Sequence, residues 1–207
     1  MQAVNLEEEL NLKEIEKITR QYWEDVEIKK YIAEKYSNNE TVAFVEGPPT
    51  LNGKPHIGHI RGRIIKDIWY RFNVLNDRNV IFRGGWDTQG LPVELQAEKE
   101  LGLTGSKAEN LKKIGEETLI QSCKDLVLNN YETWKESDKL LGLSLDHDKA
   151  YWTYKDDYIE REWKYLEKAW TNGVLEELES VVPYCPSCQT SLSHAEVSQG
   201  YETVEDP

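Results

Sequence analysis

The feature that most constrains this chain is the segment from Glu46 to His59, which reads EGPPTLNGKPHIGH. It follows an apolar run, Thr41–Val45, that predicts a fully buried strand, and it precedes a helical pattern that begins at Ile60. Glycines and prolines between the two predict a stiff, exposed turn where the strand ends. The segment therefore predicts a strand, a tight turn and a helix start in close succession.

Two histidines end this segment, His56 and His59, with Gly58 between them. On the first turn of a helix, their spacing puts both imidazoles on one face. Free backbone N–H groups and the positive end of the helix dipole favour an anion there, so the pattern predicts a phosphate site. The spacing alone leaves two alternatives open, a capping and packing arrangement or half of a metal site.

A second short strand is predicted at Asn79–Phe82, after a helix whose apolar residues lie on one side. Strand, helix and strand over residues 41–82 have the size of a right-handed βαβ unit with parallel strands. Both strands end in loops rich in glycine, and ligands collect at the carboxyl ends of strands in open α/β sheets. Two candidate ligand loops are therefore predicted side by side.

The second of these loops, RGGWDTQG, runs from Arg83 to Gly90. Its paired glycines, Gly84 and Gly85, permit close backbone approach. Trp86 predicts a flat apolar wall, and Asp87 supplies a carboxylate that suits the ammonium group of an amino acid. The alternative is a turn in which Asp87 caps the next helix.

Periodicity also predicts elements in the rest of the chain. One broken helix or two are expected before the first strand, and short strands replace helices after residue 173. The predicted elements are helices over 5–36, 91–101, 108–141 and 156–171, a polar turn at 145–148 with His147 solvated, and strands over 174–178, 181–182 and 200–207.

Composition limits the classes of partner. The net charge of −13 argues against a nucleic-acid surface within these 207 residues, because phosphate binding needs a basic stripe. No apolar run approaches the length of a membrane span, and no signal peptide is predicted. Three cysteines do not make a disulfide framework, so a reducing, cytoplasmic setting is expected.

Two of the cysteines form a CPSC knuckle, Cys185 and Cys188. Two thiolates at this spacing can chelate one zinc ion, so the knuckle predicts half of a tetrahedral site. A second CxxC is absent, and His194 is a candidate third ligand. A redox CxxC is the alternative, but it needs a thioredoxin-like helix start that the flanking strands do not suggest.

Three motifs in order resemble those of class I aminoacyl-tRNA synthetases, and of isoleucyl-tRNA synthetases most closely. They are PPxxNGxxHxGH from Pro48 to His59, GWDxxGLPVE from Gly85 to Glu94, and CPxC followed by SLSxxEV. The resemblance implies an α/β fold, the N-terminal half of a Rossmann-like (HUP) nucleotide-binding domain with parallel strands. It implies a helical extension over 1–40, the half-domain with a helical crossover over 41–173, and a zinc-ribbon-like β module over 174–207 that leads to an editing insertion.

The same resemblance implies a function. Such enzymes activate isoleucine with ATP and Mg²⁺ and charge tRNA(Ile), and they are several times longer than this chain. We therefore expect a fragment that is inactive alone, whose parent contacts tRNA mostly through other regions and needs no membrane. The implied sites are catalytic His56 and His59; ATP-binding Gly47, Pro49, Asn52, His56, Gly58 and His59; amino-acid-binding Pro48, Trp86, Asp87 and Gln89; and possible zinc ligands Cys185 and Cys188.

Position 89 departs from the pattern, because many isoleucyl enzymes have histidine where this chain has Gln89. Alternatives to the isoleucyl assignment are a valyl or leucyl relative and a non-catalytic binding module derived from a synthetase. A cofactor adenylyltransferase with HxGH on the same fold is a further alternative. It would leave GWDTQGLPVE and the CPSC knuckle unexplained.

Overall fold

Helices make up most of the regular structure in residues 11–203, the part of the chain that the computed structural model describes. The predictions for residues 1–10 and 204–207 lie outside it. The helices are α1 (Leu12–Asp25), α2 (Ile28–Lys35), α3 (Ile57–Leu75), α4 (Leu91–Glu100), α5 (Lys107–Ile114), α6 (Glu116–Leu140), α7 (Asp156–Thr171) and α8 (His194–Gln199). The strands are β1 (Thr41–Val45), β2 (Asn79–Trp86), β3 (Asp146–Trp152), β4 (Tyr184–Cys185) and β5 (Thr190–Ser191).

Contacts between residues group the described chain into two compact units. The first unit contains the described residues up to Pro48, together with Pro55–Gly85 and Thr133–Tyr151. The second contains Pro49–Lys54, Trp86–Glu132 and the described residues from Trp152 onwards. The predicted domain boundaries after residues 40 and 173 stay a prediction. Within residues 11–203, no helix combines the length and the apolar character that crossing a bilayer requires.

The central sheet of the first unit has the strand order β1-β2-β3. β1 and β2 run parallel, in register from Thr41 opposite Asn79 to Val45 opposite Arg83, as the strand–helix–strand pattern predicts. The prediction that β1 is fully buried was wrong, because its residues alternate between exposed and half-buried. Among the strands of residues 11–203, β1 is at the edge of the sheet and pairs with β2 alone, and Val45 is 60% exposed.

Helix α3 joins β1 to β2, and the side that it buries is mainly polar, not the apolar side seen in the sequence. Its buried residues are Arg63, Asp67, Tyr70 and Asn73, spaced at four, three and three along one face. The residues of its apolar stripe are exposed instead: Ile57, Ile64, Ile65, Ile68, Phe72 and Leu75. The apolar core between the helix and the sheet is small, with Tyr70, Phe82 and Leu145 at its centre and Phe44 and Trp69 packed against it.

Strand β2 runs four residues beyond its predicted end at Phe82, so the two loop glycines lie within the strand. A Cβ on Gly85 would lie 2.2 Å from the ring of Tyr151, and one on Gly84 would lie 3.3 Å from Leu145. These glycines therefore leave room for the side chains of Tyr151 and Leu145, which belong to the same unit. A role toward a ligand does not follow from it.

The polar turn predicted at residues 145–148 is wrong, because Asp146 begins strand β3. The Asp146 carboxylate accepts hydrogen bonds from the backbone N–H groups of Asp148 and Lys149, a local pattern also typical of turns. His147, predicted to be solvated, has a side chain that is 14% exposed, and its Nε2 lies 3.2 Å from Asp138 Oδ2. The segment is a strand because it joins the sheet as the neighbour of β2, and the partly enclosed His147 lies against a buried carboxylate.

The second unit is mainly helical. The pattern over 108–141 is interrupted at Gly115, whose φ of 82° ends α5 before α6 begins. No strand forms over residues 174–183, in contrast to the prediction, and β4 and β5 form a two-residue antiparallel pair. A capping box between Ser193 and Glu196 then begins α8.

Candidate functional site

His56 and His59 cap the first turn of α3 with their own side chains. His56 is the N-cap residue with extended backbone, and its Nδ1 accepts a hydrogen bond from Gly58 N at 3.1 Å. His59 Nδ1 in turn accepts from His56 N at 3.3 Å. The two imidazoles thus take the places that Ser or Thr and Glu or Gln usually have in a capping box.

This arrangement corrects one step of the phosphate prediction. The backbone N–H groups of His56 and Gly58 are not free for an anion, because the histidine side chains accept from them. A neutral imidazole that accepts at Nδ1 has its proton at Nε2. Each ring therefore offers one Nε2–H donor, so the two side chains add to the groups at this helix start that can bind an anion.

His59 is enclosed more than His56. Its ring centroid lies 3.8 Å from that of His56 and 4.8 Å from that of Trp134 on α6. Partial burial, followed by the nearby His56 and Arg63, lowers the pKa of His59 below its ordinary value. The neutral form is thereby favoured near neutral pH, in agreement with the donor at Nε2.

Gly58 has a local reason to be glycine. A Cβ there would lie 2.9 Å from His56 Cε1 and 3.1 Å from its Nδ1. A larger residue would push the His56 ring out of its capping position. The close approach of adenine that the resemblance implies for Gly58 stays a prediction.

A cluster of buried charges lies in the same unit, and sequence reasoning missed it. Glu46, Arg63 and Asp138 are each at most 5% exposed. Arg63 Nη1 donates to Asp138 Oδ2 at 2.9 Å, and its Nη2 lies 3.6 Å from Glu46 Oε2. Lys66 Nζ donates to Glu46 Oε1 at 2.9 Å, and His147 approaches the same Asp138 oxygen as Arg63. We name Glu46, Arg63 and Asp138 the buried ion cluster.

A sequence signal for this cluster existed. Arg63 and Asp67 stand four residues apart on α3, on the side opposite to the isoleucines. A polar stripe at helical spacing is usually interpreted as a solvated face. Only the positions of Glu46 and Asp138, which are distant in sequence, show that this stripe is buried.

In the second unit, Asp87 is hydrogen-bonded to residues 49–51 of the first loop. Its Oδ2 accepts a hydrogen bond from Thr50 Oγ1 at 2.6 Å, its backbone N donates to Pro49 O, and its carbonyl accepts from Leu51 N. The side chain is half-buried and not a helix cap, since Gly90 is the N-cap residue of α4. Asp87 therefore lies at the end of β2, where the sequence pattern predicted a ligand group.

Trp86 belongs to an aromatic cluster instead of an open wall. Its side chain is fully buried, with ring centroids 5.4 Å from Tyr131 and 6.4 Å from Trp152. Gln89 and Asn52 are exposed. Contacts of these residues with an amino acid or with ATP stay predictions.

The CPSC knuckle has the compact geometry expected of it. Cys188 N donates to Cys185 Sγ at 3.4 Å, and this bond lowers the pKa of Cys185. Hydrogen bonding to Cys185 raises the pKa of Cys188. Among residues 11–203, no three or more His, Cys, Asp or Glu side chains are grouped to hold a metal ion, so the prediction of His194 as third ligand was wrong.

Comparison with known proteins gives one family. The model of the class I tRNA synthetases (I, L, M and V) matches residues 19–205. An isoleucine–tRNA ligase of Thermoplasma acidophilum is 45% identical over 200 residues, which are 96% of this chain and 19% of that ligase. One of Clostridium kluyveri is 41% identical over 196 residues, or 93% of this chain and 18% of that ligase.

Among solved structures, the fold resembles that of a LeuRS from Agrobacterium radiobacter K84 in a ternary complex with tRNA and LeuAMS. The TM-score is 0.65 at 21% identity, over 88% of this chain and 20% of that one. This likeness concerns the fold. The chain spans about a fifth of the length of the curated relatives it matches.

Proposed function

Because this chain belongs to the class I tRNA synthetases of the isoleucine, leucine, methionine and valine group, we propose that it forms the phosphate-binding part of an isoleucine–tRNA ligase. The reaction proposed for the whole enzyme joins isoleucine to ATP and then passes the isoleucyl group to tRNA(Ile). The observation that carries the proposal is the histidine pair on α3, whose Nδ1 atoms both accept backbone hydrogen bonds. Similarity to isoleucine ligases at 39–45% identity favours isoleucine over valine or leucine.

Charge develops on phosphate oxygens during adenylate formation. A carboxylate oxygen of isoleucine attacks the α-phosphorus of ATP, and the bond from that phosphorus to pyrophosphate breaks. The Nε2–H groups of His56 and His59 would donate to the oxygens on which negative charge increases, assisted by the dipole of α3. Mg²⁺ accompanies ATP as part of the substrate in this proposal. Gly47, Pro49, Asn52 and Gly58 are proposed to contact ATP through close backbone approach and polar groups.

The amino acid is proposed to bind near Asp87, with Pro48, Trp86 and Gln89 as the other members of its site. The Asp87 carboxylate accepts one short hydrogen bond from Thr50. An ionised carboxylate can accept several, so it keeps the capacity to bind an ammonium group. Thr50 would then hold the carboxylate in place for the substrate.

Zinc at the knuckle, tRNA and a cytoplasmic setting are part of the same proposal. Cys185 and Cys188 fit two positions of a tetrahedral zinc site, which needs four ligands. Zinc bound there would favour the thiolate form of both cysteines and fix the turn between β4 and β5. The net charge of −13 favours tRNA contacts that lie mostly outside this chain.

The test is isoleucine-dependent pyrophosphate exchange. A chimaera is made in which this chain replaces the matching residues of the Thermoplasma acidophilum ligase, to which it is 45% identical. We expect exchange with isoleucine, and a loss of about 10²–10³-fold in kcat for His56→Ala and for His59→Ala. The control is His194→Ala, an exposed histidine of the second unit, which should leave kcat unchanged.

Exchange at the full rate in both α3 variants would overturn the role of the histidines, and a preference for valine would overturn the substrate. The 207-residue chain alone should exchange several powers of ten more slowly. A nucleotide fold of this kind binds its ligand between two βαβ halves, and the described residues supply one βαβ unit, β1-α3-β2.

A further inference from the structure

The orientation of His59 requires more than the capping box. Its hydrogen bond from His56 N is 3.3 Å long, at the weak end of the range. The last torsion of a histidine is broad and roughly two-fold, so a ring turn would exchange Nδ1 with Nε2. Another contact must hold the ring if the donor at Nε2 is to stay in place.

Trp134 of α6 supplies that contact. Its ring centroid lies 4.8 Å from that of His59, with the planes tilted by 54°. The side chain of Trp134 is 1% exposed, so it has no space in which to move away. The ring of His59 therefore contacts two other rings, the buried indole and the imidazole of His56, whose centroid lies 3.8 Å away.

Trp134 is held in turn by Arg63. The guanidinium carbon lies 5.0 Å from the centroid of the indole, within the range of a cation–π contact. Arg63 stands four residues after His59, so both side chains lie on one face of α3, where a single indole can contact both. Glu46 and Asp138 are the other members of the buried ion cluster, and their carboxylates hold the guanidinium in place.

We propose that Trp134 is a positioning residue for His59, and that Arg63 connects it to the buried ion cluster. The series Glu46, Arg63, Trp134 and His59 thereby links the residue that follows β1 to the imidazole at the start of α3. Its consequence for the reaction rests on the proposed function, whereas the positioning of the ring does not. Neither Trp134 nor Arg63 belongs to the signature motifs from which the histidines were predicted.

The first experiment uses the 207-residue chain and reads His59 directly. In the unmodified chain, ¹⁵N NMR of the imidazoles should show a His59 that accepts at Nδ1, with nuclear Overhauser contacts to the indole of Trp134. Trp134→Leu removes the ring and should give a His59 with mixed tautomers and a pKa closer to its ordinary value. Trp134→Phe keeps an aromatic face and should restore most of the wild-type signals.

The matched control is Trp23→Leu. Trp23 also has an arginine over its ring, Arg71 at 5.2 Å, but it belongs to α1 and should leave the His59 signals unchanged. Circular dichroism checks the folding of each variant. If Trp134→Leu does not fold, the Overhauser contacts in the unmodified chain still decide, since their absence overturns the proposal. Unchanged His59 signals in a folded Trp134→Leu variant overturn it as well.

The second experiment measures exchange in the chimaera. Trp134→Leu should lower kcat about 10-fold to 100-fold and leave the KM for isoleucine unchanged, because small misplacements of a catalytic group have effects of this size. Trp134→Phe should recover most of the loss. If the His59 signals change in Trp134→Leu but the chimaera with the unmodified chain is inactive, the positioning of the ring is supported and the proposed function is overturned.

Discussion

The two faces of α3 differ in a way that neither composition nor periodicity predicts. The inner face buries Arg63 and Asp67 together with Tyr70 and Asn73, whereas the outer face leaves a stripe of isoleucines in solvent. The charged face can be buried because partners distant in sequence, Glu46 and Asp138, neutralise Arg63. An amphipathic pattern therefore shows that a helix has two faces, and the partners decide which one is buried.

The outer face has the features of a surface that other protein covers. Ile57 is 80% exposed and Leu75 is 83% exposed, with Ile68 and Phe72 between them at 61% each. A contiguous apolar patch of this kind is typical of an interaction site. Among the described strands, β1 is also at the edge of its sheet, and its Val45 is 60% exposed.

The largest expected effect concerns the inner face. Asp138→Ala removes the carboxylate that Arg63 and His147 share and leaves Arg63 buried with less compensation. The free energy of unfolding should fall by about 3–5 kcal/mol, the usual effect of breaking a buried pair. Urea denaturation measures it, with Glu136→Ala on the exposed side of α6 as the control, expected within about 0.5 kcal/mol of wild type. Equal effects would mean that the buried ion cluster contributes no more to stability than an exposed charge on α6.

A smaller effect on stability is expected on the outer face. The double change Ile68→Gln and Phe72→Gln should alter the free energy of unfolding by at most about 1 kcal/mol, because both side chains are already mostly exposed. We expect the chain to self-associate through this exposed stripe and the double change to weaken that association, which sedimentation velocity measures. Arg61→Gln, an exposed polar change on the same helix, is the control. Self-association that the double change leaves intact would show that another surface is responsible.

Local signals predicted much of this fold. The parallel pair β1-β2 and helix α7 follow from strand and helix periodicity with turn residues between them, and α7 has its predicted bounds, Asp156–Thr171. The histidine pair was found because HxGH lies at a strand–helix junction. What periodicity could not supply were pairings across 75 or more residues, such as Arg63 with Asp138.

The failures share one physical cause. A polar turn was predicted where β3 lies, and a flat apolar wall was predicted at Trp86. Both outcomes depend on partners distant in sequence. Tyr131 and Trp152 enclose Trp86, and β2 is the neighbour of β3 in the sheet. A local sequence pattern carries no information about such partners. A prediction made from it therefore places a buried charge on the solvent-exposed surface.

The smallest expected effect is the pH dependence that His59 contributes. Its pKa is lowered in the folded chain by partial burial, His56 and Arg63, and returns toward the ordinary value of about 6.5 on unfolding. The unfolded chain therefore binds more protons in this range. The stability that the neutral ring contributes is complete above pH 6.5 and is lost as the pH falls through the folded pKa.

His59→Gln isolates this contribution, because glutamine at the same helix position can still complete a capping box but does not titrate. The advantage in unfolding free energy of wild type over His59→Gln should be larger at pH 7.5 than at pH 5.5, as measured by urea denaturation. His194→Gln, at an exposed position, should show no such change. An advantage that grows as the pH falls would mean that the folded chain favours the protonated ring. Partial burial and the nearby His56 and Arg63 would then not be the effects that decide the pKa of His59.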